Sequence, residues 1–152
     1  IVVPMAGGSL ITKLRKSSRE LMKVGLVEEG PEPRMFGAQA SGCAPIVNAV
    51  QAGERQVRPI QKPNTIARSL AIGNPAAGPY SLEVLRETGG TGVAAYEDSI
   101  IDGIRMLAET EGIFTETAGG VVISSLKRLV EQGKIKKDEV TVAFVTGNGL
   151  KT

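Results

Sequence analysis

The chain opens on an apolar run broken by a glycine turn. Residues 1–10 read Ile-Val-Val-Pro-Met-Ala-Gly-Gly-Ser-Leu, a buried strand that passes straight into the start of a helix. A strand followed at once by a helix brings its next strand back parallel to the first, through a right-handed crossover. The turn itself is a seat for an anion. Glycines let backbone N–H groups converge without Cβ obstruction, and the positive end of the helix dipole favours a phosphate there. No initiator Met, polar lead-in or signal peptide precedes Ile1, so the expectation is the later part of a longer protein.

The pattern repeats along the chain. Leu10, Ile11, Leu14, Leu21 and Met22 fall on one face of a helix that ends near Gly25. After a polar, Pro-bearing loop at 28–33, residues 34–40 read as a second strand and 45–52 as a short helix. This is βαβα order and predicts parallel strands. Pro59 and Pro63 keep 53–64 irregular, and loops of that length commonly line a site. A brief helix is expected over 65–71, a tight loop over 73–79, a helix over 81–87 and a strand over 92–96. Glu97, Asp98 and Ser99 supply acidic helix-start chemistry for a helix striped by Ile100, Ile101, Ile104 and Leu107. Val122, Ile123, Leu126, Leu129 and Val130 stripe the next helix, which stops at Gly133. Residues 140–145 read as a fully buried β-branched strand that ends in Thr146-Gly-Asn-Gly149. The expected fold class is therefore α/β: an open, mainly parallel twisted sheet with helices on both faces. In such sheets ligands collect beyond the carboxyl ends of the strands, where both the 6–9 turn and the 146–149 turn fall.

Composition removes several alternatives. At 152 residues the chain suits one domain, burying roughly 70% of its unfolded surface. The net charge of +2 is small and aromatics make up only 3%, so no nucleic-acid partner is expected. Lys13, Lys16, Arg19 and Lys23 recur at helical spacing and read as a solvated face. With one Cys and no His, the chain has no internal disulfide, Cys₂His₂ zinc site, Ser-His-Asp triad or Cys-His pair, and no metal site is expected. No apolar run approaches the roughly 20 residues that span a bilayer. A soluble, cytoplasmic protein with no membrane partner is the expectation.

Three local features stay open on residues alone. The 6–9 turn is either a strand-to-helix turn that merely needs small residues or a ligand loop. It has neither the Gly-Lys-Ser/Thr of a P-loop nor the three-glycine dinucleotide spacing, although Glu28 and Glu29 lie where a ribose-binding acid would sit. The 146–149 turn is either a plain left-handed turn or a site in which a small hydroxyl meets a heterocyclic nitrogen beside room for a flat ring. Glu116, ahead of Ala118-Gly-Gly120, either caps its helix or faces a site. Cys43, beside Pro45 with no base nearby in sequence, reads as a buried small hydrophobe.

Four stretches together carry a resemblance. Gly37-Ala-Gln-Ala-Ser-Gly-Cys-Ala-Pro45, Thr65-Ile-Ala67 with Ile72-Gly-Asn-Pro75, Glu111-Gly-Ile-Phe-Thr-Glu-Thr-Ala-Gly-Gly120 and Thr146-Gly-Asn-Gly-Leu-Lys151 resemble the C-terminal portion of the threonine synthases. These belong to the pyridoxal-phosphate enzymes of the tryptophan-synthase-β type. The resemblance covers nearly the whole chain, and the Ile-Gly-Asn-Pro and Thr-Gly-Asn-Gly-Leu-Lys pairing is its more particular part.

The resemblance implies that residues 1–152 are a segment of the C-terminal, larger cofactor-binding domain, with the N-terminal half of the enzyme absent from this chain. The family's phosphate-cradling loop for pyridoxal 5′-phosphate falls on Ala6, Gly7, Gly8, Ser9 and Leu10, and its pyridine-nitrogen partner on Thr146. A neutral hydroxyl there leaves the ring nitrogen largely unprotonated and the cofactor a milder electron sink. The implied reaction converts O-phosphohomoserine and water to threonine and phosphate. No lysine here stands in the family's Schiff-base context, so no catalytic residue is expected in this segment and it should be inactive alone. Thr117 replaces the family's Pro after Glu116, and Ala6 replaces the first loop glycine. Partners are expected to be O-phosphohomoserine and the missing N-terminal half, with a homodimer left open. The competing readings are a threonine dehydratase or cysteate synthase on the same fold, or a non-catalytic phosphometabolite-binding module.

Overall fold

The computed structural model describes residues 1–151. Strands β1 (Val2–Pro4), β2 (Phe36–Ala40) and β3 (Gly92–Ala95) form a parallel sheet in the order β1-β2-β3. Val2 lies opposite Phe36, and Gly37 opposite Gly92. A parallel bridge from Val2 to Ala143 sets residues 142–144 against the other side of β1. There the Val2 N–H donates to Val142 O (2.8 Å) and the Phe144 N–H to Val2 O (3.0 Å). The spatial order is therefore 142–144, β1, β2, β3.

Alternation along the strands builds two cores. Val2, Phe36, Ala38, Ala40, Val93 and Ala95 face α4 (Glu97–Glu111) and α5 (Thr117–Glu131) through Ile100, Val121, Val122 and Leu129. Val3 and Met5 face the opposite layer of α1 (Ser9–Lys23), α2 (Pro45–Gln51) and α3 (Gly78–Glu87), packing with Ile11, Ile46, Val47, Leu82 and Leu85. Helices thus cover both faces, as the doubly wound pattern requires.

Several local expectations are corrected. The stretch 65–71 contains only a 3-10 turn at Arg68–Leu70. Helix α3 begins at Gly78, three residues earlier than the expected 81, because Pro79 at its second position is preorganised for a first turn. Ile101, Val130, Leu10 and Leu21 are exposed, so each apolar stripe is narrower than its spacing suggests. Residues 140–145 are not a fully buried strand. Their pairing among the described residues is the single bridge at Ala143, and Val140 is 98% and Val142 50% exposed, because the segment lies at the sheet margin. Lys13, Lys16, Arg19 and Lys23 are exposed as expected.

Candidate functional site at the carboxyl edge of the sheet

The chain leaves β1 with the Met5 N–H donating to Ala38 O (2.8 Å) and turns at once into α1. Gly8 is the N-cap, with φ +89°, a left-handed conformation that only glycine adopts at no steric cost. Its turn rests on the start of α3: the Ala77 N–H donates to Gly7 O (3.0 Å), and Ser81 Oγ lies 3.2 Å from Gly8 O. A Cβ on Gly8 would overlap that hydroxyl, whereas one on Gly7 would meet nothing closer than Ile72 Cδ1 at 3.9 Å. The open side of the turn is therefore the side of Gly7. Among the described residues the N–H groups of Ala6 to Ile11 donate no hydrogen bond, and no side chain caps the helix. Unpaired donors at the positive end of a 15-residue helix dipole are suited to an anion.

The 146–149 turn is tied to the segment leading into α5. Thr115 Oγ1 donates to Gly147 O (2.9 Å), the Glu116 N–H donates to the same oxygen (3.1 Å), and the Gly149 N–H donates to Phe114 O (3.0 Å). Neither Gly147 nor Gly149 has a left-handed φ, so this is not a plain left-handed turn. Gly147 allows a close approach instead: the Glu116 side chain packs where its Cβ would stand. Glu116 is the N-cap residue of α5 but makes no side-chain cap bond. Of the two roles open to it, it lies against the turn. Thr146 is exposed, and its hydroxyl has no hydrogen-bond partner among the described residues.

The sheet relates the two turns. The Val2–Ala143 bridge sets 142–144 parallel to β1, so Met5 and Thr146 each lie three residues beyond a bridged residue in the same chain direction. Both turns therefore leave the same carboxyl edge, one toward α1 and the other toward the start of α5 on the opposite face. That divergence is the topological switch point of an open α/β sheet, the place where such sheets bind ligands.

The remaining candidates lie elsewhere. Ser9 also lines a separate cleft of about 540 Å³ between α1 and α3, with Thr12, Lys16, Tyr80 and Glu83. Glu28 and Glu29 are exposed in the connection from the end of α1 to the start of β2. That is the amino edge of the sheet, which removes them as a ribose-binding acid. Cys43 is fully buried, and burial pushes its thiol pKa up, with the Glu97 carboxylate adding to the rise.

Sequence reasoning missed two charged residues. Arg15 is 9% exposed on the apolar face of α1 and pairs with Glu32 (3.1 Å) and Glu87 (2.7 Å), tying three segments together. Its place one residue after Leu14 and four after Ile11 was the available signal. Glu97 does more than complement the α4 dipole. Its Oε1 accepts from the Gly42 N–H (2.9 Å), and its Oε2 accepts from Thr65 Oγ1 (3.0 Å) and the Ile66 N–H (3.1 Å).

The fold and switch point define a class, and comparison with known proteins agrees: the chain belongs to the family described as pyridoxal-phosphate dependent enzymes, whose model matches residues 1–147. Within it, the chain is 36% identical over 151 residues to the threonine synthase of Methanocaldococcus jannaschii, covering 99% of this chain and 37% of that one. It is also 36% identical to the threonine synthase of a Bacillus species (strain ULM1), covering 99% of this chain and 40% of the other. The chain thus spans well under half the length of these relatives. Among solved structures, Escherichia coli threonine synthase superposes with a TM-score of 0.69 at 18% identity, covering 99% of this chain and 32% of that chain. A fungal L-serine ammonia-lyase from Rhizomucor miehei superposes with a TM-score of 0.70 at 22% identity, covering 97% and 44%. At these identities the superpositions speak to the fold alone. Among the described residues no helix is long and apolar enough to cross a membrane.

Proposed function

We propose that residues 1–152 are the C-terminal cofactor-binding segment of a cytoplasmic threonine synthase, an enzyme that converts O-phosphohomoserine and water to threonine and phosphate. Thr152 lies outside the described residues. In this reading Ala6, Gly7, Gly8, Ser9 and Leu10 hold the 5′-phosphate of pyridoxal phosphate, and the Thr146 hydroxyl donates to its pyridine nitrogen. The lysine that attaches the cofactor lies in the remaining length of the protein, so the segment alone is inactive.

The observation that carries the reading is the pairing of complementary chemistries at one switch point: unpaired N–H donors on one turn and an unpartnered neutral hydroxyl on the turn that follows the Ala143 bridge. The residues fit the group. Backbone donors at a helix N-terminus neutralise a phosphate without a cationic side chain, and the open side of Gly7 leaves room for it. Bound there, pyridoxal phosphate supplies an electron sink for bonds next to the substrate's amino-bearing carbon. The hydroxyl of Thr146 carries no negative charge with which to hold a proton on the ring. Thr115 Oγ1 and the Glu116 N–H, both donating to Gly147 O, fix the turn that presents that hydroxyl.

The test is product analysis on the full-length protein. O-phosphohomoserine should yield threonine and phosphate, whereas 2-oxobutyrate made from threonine instead would assign a sibling lyase. Thr146→Asp should retain the cofactor and shift its absorbance; lost binding with no spectral change would remove Thr146 from this role. Residues 1–152 alone should be silent, with no borohydride-trapped lysine adduct.

A further inference from the structure

We propose that Glu97 is a positioning residue that holds segment 64–72 as one wall of the cofactor site. The inference rests on the site proposed above and adds to it a residue that touches neither turn.

Segment 64–72 crosses the carboxyl edge between the end of β2 and the glycine turn. At one end the Asn64 N–H donates to Gly42 O (3.0 Å); at the other, Ile72 Cδ1 is the nearest atom to the open side of Gly7. Between them, Ala67 and Leu70 are buried in the same core cluster as Ala118 and Val121 of α5, with Ala6 packed against that cluster. The segment has no regular structure beyond the 3-10 turn at Arg68–Leu70, so its backbone needs an external anchor.

Beside the Asn64 bond to Gly42 O, that anchor is one carboxylate. One oxygen of Glu97 takes the Gly42 N–H and the other takes Thr65 Oγ1 and the Ile66 N–H; Thr65 Oγ1 in turn accepts from the Ala67 N–H at 3.1 Å. Every donor around Glu97 is thus assigned to a loop, and none to a neighbouring cation. An ionised acceptor at the first position of α4 is also stabilised by the helix dipole, so the anchor is held at its own base. Ile72 sets the side of the space beside Gly7, so releasing Glu97 should loosen the wall without disturbing β1 or β2.

Amide hydrogen exchange and cofactor titration on the full-length protein test this. With Glu97→Ala, the Gly42, Ile66 and Ala67 amides should exchange about tenfold faster or more, the loss expected for a charge-assisted bond. Those of 37–40 should be unchanged. The affinity for pyridoxal phosphate should fall and its bound absorbance should shift. Thr65→Val removes only the hydroxyl link and should reproduce the change at Ala67 on a smaller scale; it keeps the test decisive should Glu97→Ala unfold the protein. Unchanged exchange over 64–72 in both variants, or faster exchange with unaltered affinity and absorbance, would overturn the positioning role. Failure of the unsubstituted protein to bind pyridoxal phosphate would instead overturn the site reading and the wall with it, leaving Glu97 a structural anchor alone.

Discussion

The two margins of the sheet are finished differently. At β3, the Gly37 N–H donates to Thr91 O and the Ser41 N–H to Ala95 O, so strand alternation turns the carbonyls of Gly92 and Ala94 outward. Both are covered: Gln51 Nε2 donates to Gly92 O (3.2 Å), and Arg128 donates to Ala94 O while its guanidinium lies 4.1 Å from the centre of the Tyr96 ring. At the opposite margin Ala143 turns its N–H and C=O away from β1 and finds no partner among the described residues, with Val140 and Val142 exposed beside it. An edge whose outward carbonyls are taken by side chains offers a new strand few acceptors, and an edge left bare with valines beside it can accept one. The bare margin borders the Thr146 turn. The candidate site therefore lies next to the margin left open to another strand.

Substitutions at the two margins should separate them. The largest effect is expected from Arg128→Ala, which uncovers Ala94 O and removes the stacking on Tyr96, at a cost of about 1.5–3 kcal/mol in denaturant unfolding. Val142→Lys should change the stability of residues 1–152 by no more than about 0.5 kcal/mol, while suppressing edge-to-edge association in sedimentation. Equal destabilisation by the two would erase the distinction between the margins.

A smaller difference is expected with pH. The Lys136 backbone N–H, followed by the Arg34 guanidinium, holds the Glu139 carboxyl below its usual range, and Arg34 lies 2.6 Å from both of its oxygens. A depressed folded-state pKa stabilises the fold above the unfolded carboxylate value, and that contribution disappears as pH falls through the folded value. Acidification should therefore raise amide exchange at 136–142, beside the bare margin. The covered one should be spared, since no carboxylate takes part in its closure: Gln51 and Arg128 donate to backbone carbonyls there. Glu139→Gln should abolish this dependence, and uniform acid loosening of both margins would count against it.

Much of this was legible in the sequence. The β1-α1-β2-α2 order follows from the period change at Gly7 and Gly8 and the Pro at the start of α2. The glycine turn is legible at the end of β1, whereas the Thr146 turn follows a run that pairs at Ala143 alone. The 140–145 run misled because a β-branched apolar stretch reads the same whether its second neighbour is present or not. Glu97 escaped notice because an acid in the first turn of a helix is already explained by the dipole, leaving no residue-level sign of the loops that it binds. Glu116 stands out in the sequence but its role stays open there, since packing on Gly147 depends on two segments about 30 residues apart meeting in space.

The central claim is that the glycine turn and the Thr146 turn grip one ligand. Backbone amide NMR of the isotopically labelled full-length protein, with and without pyridoxal phosphate, tests it most directly. The expected result is a joint shift at Gly7, Gly8, Ser9 and Leu10 and at Thr146, Gly147 and Asn148, saturating at a single ligand concentration. Shifts confined to one turn, or centred on Thr12, Lys16 and Tyr80 in the cleft between α1 and α3, would contradict it.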